Sequence, residues 1–186
     1  PVVADELGMS GVATVRVEAG GGSGGAALRT AFAQIMGGTA KRVLVVGFEA
    51  GASHLSAKDV QLIYGLSFDA EIDGMAGATA VSLYALSISM HMMALGTTSA
   101  QMAAVSVKNH GHAKANPNAH KPMDLRIDDV LTSPNVSTPY RRLDCSLISD
   151  GAAAIVLAHP DHAPASPTPR SRIVGSGAAT DHARLG

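Results

Sequence analysis

Five glycines in six residues, at positions 20–25, form the feature that most constrains the fold of this 186-residue chain. A β-branched stretch at 14–19 precedes them, and apolar residues at helical spacing follow them as far as Met36. Two glycines end that pattern, and residues 42–47 have the composition of a second, buried strand. We therefore predict a strand, a glycine turn, a helix and a parallel strand. In such a unit, exposed amides and the positive helix end meet at the turn, which suits an anion, an oxyanion or a nucleophile.

The overall composition excludes several classes of partner. The formal net charge is −1 with neutral histidines and no long basic run is present, so nucleic acid is not an expected partner. A single cysteine excludes an internal disulfide framework and a four-cysteine zinc site, and it is compatible with a reducing cytoplasm. No apolar stretch reaches membrane-spanning length, and the first residues lack the basic region of a signal peptide. We expect a cytoplasmic protein that does not bind a membrane.

The rest of the chain divides by periodicity and by helix-breaking residues. We predict loops and short turns at 51–75, a helix at 79–93 stopped by Gly96, a helix capped within 97–99, an exposed loop at 116–122, a short helix or strand at 127–131, a break at 133–139, a buried strand at 152–158, a linker at 159–171 and a further strand from 172. These elements suggest three segments. Residues 1–50 form a core with the glycine turn, residues 51–150 form a loop domain, and residues 151–186 add further strands to the core. Because no helix follows the last predicted strand, we expect either a fragment or a site completed by another chain.

The glycine turn admits a dinucleotide-binding interpretation. Gly20, Gly22 and Gly25 satisfy the G-x-G-x-x-G spacing, and Glu49 lies where a ribose-binding carboxylate would. The spacing is weak evidence, since a glycine-rich stretch matches many patterns by chance. This interpretation predicts NAD as the ligand and remains the less favoured alternative.

Several separated strings resemble the thiolase superfamily. Residues 17–28, V-E-A-G-G-G-S-G-G-A-A-L, are similar to the V-E-A-x-C-x-S-G-G-type string that carries the family's reactive cysteine. The similarity continues through the G-T-T, V-K-N-H, N-P-N-A-H and L-D-C-S-L-I-S-D-G-A-A-A strings at 96–98, 107–110, 116–120 and 143–154. The last two strings, in this order, resemble the sterol-carrier-protein type of thiolase. The resemblance implies an α/β fold of the layered αβαβα type, here the N-terminal half with its loop domain.

The sequence departs from this family at the reactive position. Gly21 stands where the family has its cysteine, so acyl transfer through a thioester intermediate should fail. Ser23 lies two residues further on, but the sequence indicates no base beside its hydroxyl. Cys145, the lone thiol, matches a family position that is not the nucleophile, and we expect a small buried residue at the base of a strand.

The resemblance implies that the substrate is a coenzyme A thioester, that no metal is needed, and that a carbon–carbon bond beside the thioester carbonyl is made or broken. Some cysteine-free relatives in the family are retro-aldolases that shorten steroid side chains held as coenzyme A thioesters, and they work with a small partner carrying an oligonucleotide-binding-type barrel. A retro-aldol step needs acid–base groups and enolate stabilisation rather than a nucleophile. The competing hypothesis is a non-catalytic acyl-CoA or lipid carrier. A homodimer is expected in either case.

The candidate site residues follow from this resemblance. We expect the position of Gly21, together with His120 and Tyr140, to mark the catalytic site, and a second group to bind the substrate: Gly22, Ser23, Gly24, Asn116 and His120. Three histidines, His110, His112 and His120, also allow a zinc hypothesis, but no carboxylate or thiol completes the set. Hydrogen bonding of these histidines to loop backbone is the preferred interpretation.

Overall fold

The computed structural model describes residues 2–69, 71–168 and 170–180 and divides the chain into two compact units. One unit takes in the chain up to Phe48 together with Ala152–Thr180, and the other takes in Glu49–Gly151. Residues 181–186, the end of the third predicted segment, lie outside the described residues.

In the first unit, the helix predicted after the glycine turn is confirmed. A short helix α1 (Val2–Glu6) comes first, and a 3₁₀ turn over Gly20–Gly22 leads directly into α2 (Ser23–Met36). The helix ends at two glycines as predicted: the Gly37 amide donates to the Ala33 carbonyl at 2.8 Å, and Gly38 has a φ of +73°. Its inner face buries Ala31 and Ile35.

Two strands form the sheet of the first unit. The strand predicted at 42–47 is β1 (Arg42–Glu49), and it pairs with β4 (Gly151–Ala158). The His159 amide donates to the Lys41 carbonyl at 3.0 Å, so the end of β4 lies beside the start of β1, as in an antiparallel pair.

The predictions of strands at 14–19 and from residue 172 were wrong. Residues 12–19 are irregular, and none of residues 170–180 is in a strand, so the predicted parallel strand–helix–strand unit is not formed. A β-branched composition becomes a strand only where a sheet edge is available for pairing, because strand preference depends on context.

The predicted burial of the two strands was also wrong. Leu44 in β1 is 38% exposed, and Val156 in β4 is 62% exposed. Apolar strand residues are buried only where further layers cover both faces of a sheet.

The second unit is mainly helical. Its helices are α3 (Gly51–His54), α4 (Ala57–Gly65), α5 (Ala80–Leu95), α6 (Ser99–Ala113) and α7 (Ile127–Leu131). The predicted stop of α5 at Gly96, which has a φ of +69°, and the predicted cap of α6 at Thr98 are confirmed. The prediction of loops at 51–75 missed α4. Ser56 and Asp59 form a reciprocal capping box at its start, and the S-x-x-D spacing was the available signal.

A small antiparallel hairpin follows α7 where the sequence predicted only a break. Strands β2 (Asn135–Ser137) and β3 (Tyr140–Arg141) pair with Asn135 opposite Arg141, and a 3₁₀ turn over Arg142–Asp144 follows. The 3₁₀ turn contacts both α6 and α7, in which Ala103 and Val130 are fully enclosed. Among the described helices, none is long and apolar enough to cross a bilayer.

Candidate functional site

The glycine turn presents the exposed amide of Gly21 at the start of α2. Gly20 has a φ of +54°, a left-handed conformation that favours glycine. The Gly22 amide donates to the Ala19 carbonyl at 3.0 Å, and the Ser23 amide donates to the Gly20 carbonyl. The amide of Gly21 has no backbone partner among the described residues, and the residue is exposed. It can therefore donate to an oxygen atom of a ligand.

Nothing in the turn itself requires glycine at position 21. No atom lies within 4 Å of where its Cβ would be, and its φ lies outside the left-handed range, unlike that of Gly20. The backbone could carry a side chain here, so the absence of a nucleophile is a property of the residue type rather than of the fold.

The prediction that Ser23 lacks a neighbouring base was wrong. Its Oγ lies 2.8 Å from Glu18 Oε1 and 2.8 Å from the Gly20 carbonyl, and it accepts the Ala19 amide at 2.9 Å. Glu18 Oε1 also accepts the Gly20 amide at 2.9 Å. The hydrogen bonds from Ser23 and Gly20 lower the pKa of Glu18 below its ordinary value, which makes this carboxylate a weak base. Glu18, before the turn, and Ser23, after it, thus bond to each other and to the turn backbone, which stabilises the turn.

The other predicted binding residues, Asn116 and His120, lie in the second unit, within the loop at 116–122. The Asn116 side-chain carbonyl accepts the Asn118 amide at 3.0 Å, which closes a local turn. His120 Nδ1 lies 2.5 Å from Ser149 Oγ and ties the loop to the residues before β4. Both side chains are exposed, so each keeps polar atoms available to a ligand.

Tyr140 is half-buried in β3. Burial, and to a smaller extent the negative charge of Asp144, raises the pKa of its hydroxyl. This hydroxyl therefore stays protonated at neutral pH and can donate a proton or a hydrogen bond, but it cannot act as a base.

Cys145 is only partly enclosed, whereas the sequence suggested a buried residue. Its pKa is raised by burial and then by Asp144, and its Sγ lies 3.5 Å from the Arg141 carbonyl. A raised pKa keeps the thiol protonated, which does not suit a nucleophile.

A cavity of about 280 Å³ in the second unit was missed by the sequence reasoning. Its lining combines basic and apolar side chains from distant parts of the chain, among them Lys121, Arg142, Met123, Leu143 and Leu147. No local motif signals this combination, because α6, the following loop and the turn after β3 meet only in the folded unit. Two cations beside an apolar lining suit an amphipathic anion.

The histidines do not converge on a metal site in the described ranges. His110 and His112 lie on α6 rather than in a loop, and His110 Nδ1 lies 3.1 Å from the Lys121 carbonyl. No group of three or more potential ligands is found among residues 2–69, 71–168 and 170–180.

The structure also weakens the dinucleotide interpretation. No strand precedes the glycine turn in the described chain, although the dinucleotide fingerprint requires one. Glu49 Oε1 accepts the adjacent Ala50 amide at 2.9 Å, so the proposed ribose-binding carboxylate is engaged locally.

Comparison with known proteins identifies thiolase-like relatives. The chain is 39% identical over 162 residues to an acetyl-CoA acetyltransferase of Methanothermobacter thermautotrophicus, a match covering 87% of this chain and 42% of the relative. It is 32% identical over 166 residues to human sterol carrier protein 2, covering 82% of this chain and 29% of the relative. A solved structure, the Ltp2-ChsH2(DUF35) aldolase, matches with a TM-score of 0.63 and 24% identity, covering 86% of this chain and 41% of that chain. No protein-family model matches.

These similarities establish the fold class and leave the activity open. The fold is α/β and thiolase-like, and the sequence is similar to thiolase-superfamily proteins. The chain spans less than half the length of these relatives. The activity, substrate and partners of the whole protein are therefore matters for proposal.

Proposed function

We propose that this chain is part of a thiolase-superfamily protein that binds an acyl-CoA and acts on the carbon–carbon bond beside the thioester by retro-aldol cleavage. The observation that carries this proposal is Gly21, which offers a free amide at the helix start and no side chain that could be acylated. Such a site can polarise a carbonyl but cannot form a thioester intermediate.

The proposed step needs only proton transfer and oxyanion stabilisation. A base removes the proton of a β-hydroxyl group, the α–β carbon–carbon bond breaks, and its electron pair moves to the thioester carbonyl to form an enolate. The Gly21 amide donates to that developing oxyanion, with Gly22, Ser23 and Gly24 shaping the turn around it. Protonation of the enolate carbon then yields a shorter acyl-CoA and a ketone or aldehyde.

Residues of the second unit fit a role in binding coenzyme A. The cavity with Lys121 and Arg142 suits phosphate oxygens, and its apolar lining suits the uncharged part of the carrier. We assign proton donation to Tyr140, whose raised pKa keeps its hydroxyl protonated. Asn116 and His120 are proposed as substrate contacts on the neighbouring loop. Steroid or lipid substrates, a partner with an oligonucleotide-binding-type barrel and a cytoplasmic location remain part of this proposal.

A non-catalytic acyl-CoA carrier is the second candidate. The Glu18 carboxylate supports this candidate, because it already accepts hydrogen bonds from Ser23 and Gly20. These bonds lower the pKa of Glu18 and make it a weak base. A carrier would bind the thioester without needing a base there.

Calorimetric titration with acetyl-CoA, a long-chain acyl-CoA and NAD tests the ligand class. We expect the CoA thioesters to bind and NAD not to bind. A parallel measurement uses Gly21→Cys in a Cys145→Ala background, in which intact mass should rise by one acetyl group after incubation with acetyl-CoA. Cys145→Ala alone is the control and should stay unmodified. Binding of NAD without acyl-CoA would overturn the proposal.

Turnover of a 3-hydroxyacyl-CoA separates the two candidates. An aldolase releases a shorter acyl-CoA and a carbonyl compound, both measurable by mass spectrometry, and Tyr140→Phe should slow that release at least tenfold. A carrier binds the same compound unchanged. Because the chain spans only part of its relatives, the assay is run on the full natural protein.

A further inference from the structure

An open cavity with a basic lining lies in the first unit, where β1 begins and β4 ends. It has a volume of about 490 Å³ and is lined by Ala40, Lys41, Arg42 and His162. Lysine and arginine are positively charged at neutral pH, histidine can become so, and none of the lining side chains is acidic. We call this cavity the basic recess. Its composition favours an anionic ligand.

Backbone hydrogen bonds hold the two sides of the basic recess together. The His159 amide donates to the Lys41 carbonyl at 3.0 Å, so the end of β4 lies beside the start of β1. A 3₁₀ turn over Pro160–His162 follows, and in it the His162 amide donates to the His159 carbonyl at 2.9 Å. The fixed φ of proline suits the first position of such a turn. The position of His162 in the recess therefore depends on ordered backbone.

One hydrogen bond orients the guanidinium group of Arg42. Its Nε donates to the His162 carbonyl at 2.8 Å, between residues 120 positions apart in the chain. In the part of the chain that the structure describes, the two terminal nitrogen atoms, Nη1 and Nη2, have no partner. They can therefore donate together to the oxygen atoms of an anion. Because the group is already held in place, binding costs less conformational entropy.

The charges of the basic recess are not neutralised by a neighbouring carboxylate. Lys41 forms no ion pair among residues 2–69, 71–168 and 170–180, and neither does Arg42. Asp161 lies within the 3₁₀ turn, but its Oδ2 is 3.4 Å from His159 Nδ1 and its side chain is 80% exposed. The recess thus keeps two positive charges available to a ligand.

The basic recess is separate from the glycine turn. That turn lies at the start of α2, whereas residues 37–40 lead from the end of α2 to the recess. A helix of 14 residues is about 21 Å long, so a small ligand in the recess does not contact the Gly21 amide. The Gln34 carbonyl near the end of α2 accepts the amides of residues 39 and 40, so it does not compete for the cations.

We propose that the basic recess binds a phosphate group, present either as inorganic phosphate or as the phosphomonoester of a small molecule. Arg42 supplies two donors in one plane, Lys41 supplies a compact charge, and the His162 imidazole supplies a further donor. Donors from three side chains suit the several oxygen atoms of a phosphate group better than the two of a carboxylate. The inference stands independently of the proposed reaction.

Calorimetric titration of the full natural protein with inorganic phosphate and with glycerol 3-phosphate, at constant ionic strength, tests the basic recess. We expect binding, weakened about tenfold in Lys41→Gln and in Arg42→Gln, because each variant loses a charged hydrogen-bond partner of the ligand. Arg29→Gln is the matched control, since Arg29 is an exposed arginine of the same unit that lies on α2 and does not line the recess. It should leave the affinity unchanged.

Two further measurements complete the test. Far-UV circular dichroism checks that the variants stay folded, and Lys41→Gln removes no side-chain hydrogen bond of the described chain. Acetyl-CoA should not displace the bound phosphate, since the recess is separate from the glycine turn. No binding of either probe, as when a carboxylate from another part of the full protein fills the recess, would overturn the proposal. An equal loss in Arg29→Gln, or displacement by acetyl-CoA, would overturn it as well.

Discussion

The hydroxyl of Ser23 lies 2.8 Å from the carboxylate of Glu18, and this contact joins the two ends of the glycine turn. Each partner also bonds to the turn backbone, through the amides of Ala19 and Gly20. The free amide of Gly21 lies between these bonded residues, so its direction depends on the contact between the Glu18 and Ser23 side chains.

Replacing Ser23 by alanine should raise the pKa of Glu18. The Ser23 hydrogen bond is the largest cause that lowers this pKa, so its loss should move the titration toward the ordinary glutamate value of 4.5. Carbon-13 NMR of the Glu18 carboxyl group measures the shift directly. Ser23→Thr keeps a hydroxyl and should leave the titration close to that of the wild type. An identical Glu18 pKa in Ser23→Ala would show that the two side chains do not interact in solution.

Asp150 should make the stability of the second unit depend on acidic pH. Its carboxylate accepts the Ala52 amide at 2.7 Å, the Ser53 amide at 2.9 Å and the Ser53 hydroxyl, and these bonds lower its pKa. Because the folded pKa lies below the ordinary 3.8, the stabilisation is complete above that value and is lost as pH falls through the folded pKa.

Urea unfolding of Asp150→Asn at pH 6 and near pH 3 tests this dependence. The wild type should lose more stability between the two pH values than the variant does. Ser53→Ala removes the largest cause of the lowered pKa and should show an intermediate loss. Equal losses in the wild type and Asp150→Asn would contradict the assignment.

Gly96→Ala should destabilise the protein by about 1 kcal/mol, because a non-glycine residue at a φ of +69° is strained. The space around the position is open, so the cost comes from the backbone alone. Gly111→Ala is the matched control, since this glycine lies within α6, also with open space, and its φ is not left-handed. There alanine should stabilise by about 0.5–1 kcal/mol. Chemical denaturation distinguishes the opposite signs.

Val130→Ala should cost about 2 kcal/mol, because this side chain of α7 is fully enclosed against α6 and its loss leaves a cavity. Val105 lies on α6 and is 53% exposed, so Val105→Ala should change the free energy of unfolding by less than about 0.5 kcal/mol. Equal effects of the two substitutions would mean that α7 does not pack on α6 as described.

Local signals in the sequence predicted the helices more reliably than the strands. Gly38 and Gly96 end their helices in left-handed conformations, and Thr98 caps α6 through its own side chain, so each boundary depends on one or two neighbouring residues. The stretch at 14–19 failed as a strand because strand formation requires a partner that no local pattern specifies.

The candidate site was predictable only in part for the same reason. The glycine turn and its place at the start of α2 follow from adjacent residues. The bond between Glu18 and Ser23, which the sequence analysis overlooked, requires the turn to curl back on itself. The cavity beside Lys121 and Arg142 draws on residues from 110 to 147 and could not be read from any one motif.

The sequence by itself determined the glycine turn, the helix that follows it, the ends of α2 and α5, the cap of α6 and the absence of a thiol at position 21, because each depends on local backbone preference or on residue type alone. Only the tertiary structure decided which strands pair, which carboxylate accepts the Ser23 hydroxyl and which basic residues line the same cavity. Those features depend on contacts between residues distant in the chain, or on the path of the backbone between them, and short-range periodicity carries no information about either.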